Sequence, residues 1–313
     1  MRIAIAGPGA LGCLLAAALA RHDQHEEADQ ILLIDHRPER AQALDRQGIV
    51  CHAGEQEEQI RLPVSAEPET IGPVDILIVC VKAHDLSQSL TFCRALFNAN
   101  TLIVLMQNGI SHLDIEEEIA LPTPPAFTTT TEGATLLASG VVRHSGRGQT
   151  FSGFLHDAGK PQTLLLQALC TRLTAGGLTI TQVDDIRNRL WAKLLINAGI
   201  NGLTALYNRT NGQLLTSCAA RSRLKRIVAE GAEVARAAGV ILPTDPIRST
   251  ILACTKTAAN VSSMLQDVRR KRRTEIMAIN GAIIEQGRRL GVPTPLNEEL
   301  VRQIRKLEES YAN

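Results

Sequence analysis

Apolar residues fall in short continuous runs along the first half of the chain and at helical spacing along the second. Residues 2–6 read as a buried strand, 10–21 as an Ala/Leu-rich helix and 31–34 as the next strand, and Pro38-Glu39-Arg40 opens a second helix. Residues 48–64 predict one or two strands around Ala53-Gly54. The runs at 75–81 and 101–105 are apolar throughout, as strands covered on both faces are, and their alternation with helices predicts a parallel sheet. Shorter strands are expected at 126–131, 140–145 and 149–154, with Gly146-Arg147-Gly148 as a hairpin turn between the last two. A helix at 161–175 and a strand at 178–182 complete this half. From Asp185 onward every segment predicts helix: 185–206, 211–217, 218–238, 246–256, 269–290, and a last one from about 295. The change of pattern places a domain boundary near Asp184, giving an α/β domain over 1–184 and an all-α domain over 185–313.

Composition fits that division. A chain of 313 residues has room for two domains, and 44% apolar with 21% charged residues suits large ordered cores. A net charge of +1 and 3% aromatics argue against nucleic acid and membrane surfaces as partners. The basic run Arg269-Arg270-Lys271-Arg272-Arg273 has no aromatic company and reads as an exposed face. The seven cysteines (13, 51, 80, 93, 170, 218 and 254) are scattered and form no CxxC pair. They read as free thiols of a cytoplasmic protein rather than disulfides or zinc ligands. The apolar stretch after Arg2 resembles an export signal, but Gly7-Pro8-Gly9 splits it into strand, turn and helix. No other stretch is long and apolar enough for a membrane span.

Gly7-Pro8-Gly9-Ala10-Leu11-Gly12 is a GxGxxG, a weak signal alone that gains weight from its place between a strand and a helix. Gly7 permits the tight turn, Gly9 lets a pyrophosphate approach the backbone, and Gly12 lets the helix pack on the strand. Backbone N–H groups and the positive helix end attract phosphate. Asp35, at the end of the second strand, is placed to bond an adenosine ribose and repel a 2′-phosphate, which favours NAD(H). Arg37 pulls toward a 2′-phosphate and NADP(H). Lys82 and Asn108 each follow a buried strand at the sheet edge where ligands bind, although either residue also suits a plain loop.

The second candidate site is a polar stripe. In the apolar stretch from Trp191 to Leu203, Lys193, Asn197 and Asn201 recur every four residues and share one helix face. A lysine beside amides in a dry cleft can give a proton or hold an oxyanion. The same stripe also suits a snorkelling lysine above two satisfied asparagines.

The glycine loop, Val81-Lys82-Ala83, Gln107-Asn108-Gly109, Thr129-Thr130-Thr131, Trp191-Ala192-Lys193-Leu194 through Asn197 and Asn201, Asn211-Gly212, and Asn260 through Asp267 to Thr274-Glu275-Ile276 occur in order along nearly the whole chain. In this the sequence resembles the ketopantoate reductase family. The resemblance implies an N-terminal Rossmann-type dinucleotide-binding domain and a C-terminal helical domain of the 6-phosphogluconate dehydrogenase C-terminal-like type, with a cleft between them. It implies reduction of 2-dehydropantoate to (R)-pantoate, a step toward pantothenate and coenzyme A, with NADPH as the usual hydride donor. It places Lys193 and Glu275 as catalytic residues, and Asn197, Asn201, Asn211, Asn260 and Ser263 against the substrate. Cofactor contacts fall to Gly7, Pro8, Gly9, Ala10, Leu11, Gly12, Asp35, Arg37, Lys82, Asn108 and Ala134. Asp35 stands where NADPH-using members more often carry a basic or neutral residue, which keeps NAD(H) open. The expected partner is a small 2-keto acid, with a homodimer allowed and no metal. Two other readings are a reductase of another branched 2-keto acid and a nucleotide-sensing module without turnover.

Overall fold

The apolar runs of the first half become the middle of a sheet. The computed structural model describes residues 1–23 and 29–311. Contacts divide the chain into two compact units: residues 1–107 with 113–186, and residues 187–313 with the short segment 108–112.

In the first unit the strands are β1 (Arg2–Ala6), β2 (Gln30–Ile34), β3 (Ile49–Ala53), β4 (Gln56–Ile60), β5 (Val64–Ser65), β6 (Ile76–Val79), β7 (Leu102–Leu105), β8 (Ala126–Thr130), β9 (Gly133–Ala138), β10 (Val141–Gly146), β11 (Thr150–Phe154) and β12 (Ile180–Gln182). Eight form one sheet in the order β12-β11-β8-β7-β6-β1-β2-β5, parallel except for the β8–β11 pair. The central strands β1, β6 and β7 are buried along almost their full length, which is why their sequences do not alternate. Helix α1 (Ala10–Asp23) packs on one face beside α5 (Gly159–Ala175). Ile3, Ile5, Leu14, Leu19, Leu169 and Leu173 meet there in the core. Each such side chain contributes roughly 1.5–3 kcal/mol by leaving water. Helix α2 (Pro38–Gln47) follows β2, and α3 (Leu86–Phe92) and α4 (Ile115–Glu118) are short.

The hairpin expected at Gly146-Arg147-Gly148 does not form. Strand β10 pairs with β9 and β3 in a separate sheet ordered β4-β3-β10-β9, whereas β11 joins the large sheet. The chain changes sheets at this point. Gln149 is bonded across to Thr131 in both directions, and any Cβ on Gly148 would lie 2.3 Å from the Thr131 backbone carbon. Spacing alone could not show this, because strand β9 does not alternate and none of its residues is fully buried.

Among the described residues no strand follows Gln182. The second unit holds α6 (Ile186–Tyr207), α7 (Gln213–Thr216), α8 (Cys218–Ala237), α9 (Pro246–Lys256), α10 (Ser263–Arg269), α11 (Ala282–Leu290) and α12 (Pro295–Glu309). Three helix starts are capped by side chains that accept a backbone N–H: Ser217, Asp245 and Ser262. The continuous helix expected over 269–290 is broken. Helix α10 ends at Arg269, Lys271 turns back with a φ of 50°, and the chain re-enters as one π turn over Met277–Gly281 before α11. Periodicity at 269–290 extended through this break because the break opens within the basic, helix-favouring run 269–273. A buried amide pair ties the bundle together. Asn280 Nδ2 donates to Ala198 O and to Asn297 Oδ1, and Asn297 Nδ2 donates to Ile227 O and Glu230 Oε2.

All seven cysteines are free thiols, five of them buried. Among the described residues no helix is long and apolar enough to cross a membrane, and no group of three or more His, Cys, Asp or Glu could hold a metal ion.

Candidate active site

In the first unit the glycine loop joins β1 to α1. Gly7 has a φ of +89°, and its N–H donates to Ile34 O. A Cβ on Gly12 would sit 2.4 Å from Gly7 O, so only glycine lets α1 start this close to the strand end. At Gly9 the nearest heavy atom to an added Cβ is 4.0 Å away, so the space beside its backbone is open. A tight turn, an open approach and a helix start together fit the pyrophosphate of a dinucleotide.

Next to the loop, Asp35 is 3% exposed and flanked by two guanidinium groups and an imidazole. Its Oδ1 accepts the Arg37 N–H at 3.1 Å, and Arg40 Nε lies 2.9 Å from Oδ2. The Arg37 guanidinium and the His36 ring each approach Oδ1 to 3.7 Å. Arg40 also donates through Nη2 to Pro8 O, which staples α2 to the glycine loop. Arg40 was not expected from the sequence; its signal is its place five residues after Asp35 in the first turn of α2. Lys82 is half-buried just before a single 3₁₀ turn, Ala83–Asp85, that follows β6. Ala134 lies on β9 opposite His144, whose Nε2 is 2.6 Å from Glu132 Oε2.

In the second unit three residues that lie far apart in sequence meet. Lys193, on α6, donates from Nζ to Asn108 Oδ1 at 2.9 Å. Asn108 Nδ2 in turn donates to Glu275 Oε2 at 3.2 Å. The amide orientation follows from the chemistry, since an ammonium only donates and a carboxylate only accepts. Asn108, expected beside a cofactor, is thus also the bridge between the two expected catalytic groups. Gly109 holds the bridge in place. Its φ is +86°, and a Cβ there would fall 2.0 Å from Ala278 O in the π turn after Glu275. Single π turns of this kind recur at functional sites.

Burial sets the charge states. Loss of solvation lowers the Lys193 pKa to about 8, opposed by the negative charge of Glu275. Burial also lowers His112 to about 4, again opposed by Glu275, so its ring is neutral at physiological pH. Glu275 itself is 5% exposed. His112 carried no sequence signal beyond lying four residues after Asn108.

The other candidates are distributed along the same unit. Asn197 is half-buried and Asn201 is 7% exposed, one and two turns beyond Lys193. Asn211 is buried, with Nδ2 donating to Thr257 Oγ1 and no partner for Oδ1 among the described residues. Its backbone N–H donates to Asn260 O, which brings those two asparagines together. Asn260 and Ser263 are exposed, Ser263 as the first residue of α10. A buried carboxamide with an open acceptor and an exposed serine can both bond a polar ligand.

A glycine cradle on a largely parallel sheet, followed by an all-helical unit with a half-buried lysine, defines a Rossmann-type α/β protein with a helical C-terminal domain. The family profile described as Ketopantoate reductase PanE/ApbA matches residues 3–157, and its C-terminal counterpart matches residues 185–308. The chain belongs to the ketopantoate reductase family. The 2-dehydropantoate 2-reductase of Pyrococcus horikoshii is 30% identical, over 95% of this chain and 94% of its own. A PanE/ApbA family ketopantoate reductase from Ralstonia eutropha has a similar crystal structure, with a TM-score of 0.88 and 29% identity over the full length of both chains. The ternary structure of D-mandelate dehydrogenase with NADH and anilino(oxo)acetate is equally similar, with a TM-score of 0.89 and 28% identity over the full length of both chains.

Proposed function

We propose that this protein reduces 2-dehydropantoate to (R)-pantoate with a nicotinamide cofactor. The observation that carries the reading is the Lys193–Asn108–Glu275 chain, which holds a desolvated ammonium with a pKa of about 8. The family membership and the names of the relatives support it. When bound, the cofactor supplies a hydride to the keto carbon. Lys193 stabilises the charge that develops on the keto oxygen and delivers a proton to it from Nζ. Its lowered pKa makes that proton easier to give while leaving the ammonium the main form at pH 7. Asn108 Oδ1 fixes the direction of the ammonium, and Glu275 accepts a hydrogen bond from the substrate hydroxyl. Asn197, Asn201, Asn211, Asn260 and Ser263 position the substrate without adding charge, Ser263 by donating to its carboxylate.

On the first unit, Gly7 to Gly12 cradle the pyrophosphate, and Lys82 and Ala134 contribute further cofactor contacts. Arg40 and Arg37 outnumber the single charge of Asp35, which supports NADP(H) over NAD(H) in this reading. A second reading, reduction of a different branched 2-keto acid with NADH, is favoured by the equal similarity to D-mandelate dehydrogenase. One experiment separates them: initial rates with NADPH and with NADH on 2-dehydropantoate and on a panel of branched and aryl 2-keto acids. The first reading expects the highest kcat/KM with 2-dehydropantoate and NADPH. A higher value for another acid transfers the assignment to the second, and no turnover of any acid overturns both.

A further inference from the structure

Helix α6 carries one more polar residue on the Lys193 side of the bundle that no role above uses. Thr204 lies three residues beyond Asn201, continues the stripe, and is fully buried. Its Oγ1 donates within α6, to Ile200 O at 3.0 Å or Asn201 O at 2.9 Å. The same oxygen is 2.6 Å from Ser262 Oγ, 58 residues away, and Ser262 is 7% exposed. Ser262 Oγ accepts the Leu265 N–H at 3.1 Å as the N-cap of α10.

A hydroxyl has one proton to give. With the Thr204 proton on an α6 carbonyl, Ser262 must donate to Thr204. The chain then runs in one direction, from Leu265 N–H through Ser262 and Thr204 to the backbone of Asn201. Both hydroxyls are out of reach of water, so breaking any link leaves a buried group unmatched. The residue after this cap is Ser263. The chain therefore fixes the start of α10 against the helix that holds Lys193 and Asn201.

We infer that Thr204 and Ser262 are positioning residues that hold Ser263 where it meets the substrate carboxylate, by tying the α10 N-cap to the Asn201 turn of α6. This rests on the reading of Ser263 given under the proposed function. Neither residue touches substrate. The ordinary alternative is that a helix threonine bonding back to its own helix and a capping serine contribute stability alone.

The two are separated by kinetics on Thr204→Val, which keeps the shape and removes the link, with Thr204→Ser as the conservative control. Ser262→Gly is the second disruption, since an N-cap position tolerates glycine. For the 2-keto acid that the wild type turns over best, the KM should rise about tenfold in Thr204→Val and in Ser262→Gly, the effect of losing one well-placed hydrogen bond. The kcat should fall by less than about threefold, the NADPH Kd from fluorescence titration should stay within about twofold, and Thr204→Ser should behave as the wild type. An unchanged KM in whichever disrupted variant folds overturns the inference, as does a rise in KM matched by an equal rise in the cofactor Kd. Absence of turnover by the wild type overturns the functional reading instead, and the inference with it.

Discussion

The glycine loop and the lysine cluster are polar sites made by opposite means. The loop is six contiguous residues, and its chemistry is backbone: a positive φ at Gly7, an open approach at Gly9 and a close contact at Gly12. The cluster is side chains, brought together across 85 residues from Asn108 to Lys193 and 167 from Asn108 to Glu275. A backbone site tolerates change in the side chains around it but not the addition of a Cβ. A side-chain site tolerates the reverse, and it alone contains a group whose charge can titrate near neutrality.

The sharpest way to break this comparison is Lys193→Ala. If Lys193 is the general acid proposed, its loss should lower kcat by about 10²–10⁴-fold. The cofactor Kd, from quenching or enhancement of nicotinamide fluorescence, should stay within about twofold of the wild type. If cofactor binding weakens as much as turnover, the two sites are not separable and the division of labour fails.

Gly12→Ala is the mirror test. The new Cβ would lie 2.4 Å from Gly7 O, so the turn or the start of α1 must move. The cofactor Kd should weaken by about 100-fold, as expected when several backbone bonds to phosphate are lost together. Turnover at saturating cofactor should recover to within about threefold of the wild type. A variant with unchanged Kd would show that the loop does not carry the pyrophosphate.

The same contrast explains what the sequence showed. Residues 2–12 state a strand, a turn and a helix within one short window, and the structure places all three there. The all-helical second half was equally legible, because 3.6-residue periodicity is local. The Lys193 stripe was visible, but its partners were not. Nothing in the spacing of Asn108 or Glu275 tells that one amide will bond both, and family resemblance rather than periodicity placed Glu275 near Lys193. The misplaced hairpin at 146–148 and the broken helix at 269–290 have the same origin. Sheet switching at Gly148 and the turn at Lys271 are decided by residues elsewhere, such as Thr131 and Glu308, which bonds the Thr274 N–H. Arg40 escaped notice because its partners, Asp35 and Pro8 O, are joined only once α2 docks beside the loop.

The smallest of the expected effects is also the most selective. In the proposed mechanism Lys193 acts in its protonated form, and burial has brought its pKa down to about 8. As pH rises through that value the acid is lost, so kcat should be flat from about pH 6.5 to 7.5 and then fall toward tenfold per unit. Glu275 opposes the shift, and Glu275→Gln should therefore move the alkaline limb to lower pH as well as reducing turnover. The glycine loop has no group that titrates in this window, because its donors are backbone N–H. The cofactor Kd should accordingly change by less than about twofold over the range in which kcat falls. Parallel profiles of kcat and cofactor Kd from pH 6.5 to about 9.5 measure both sites in one preparation. If the limb in kcat persists unchanged in Glu275→Gln, the titrating group is not the lysine beside it.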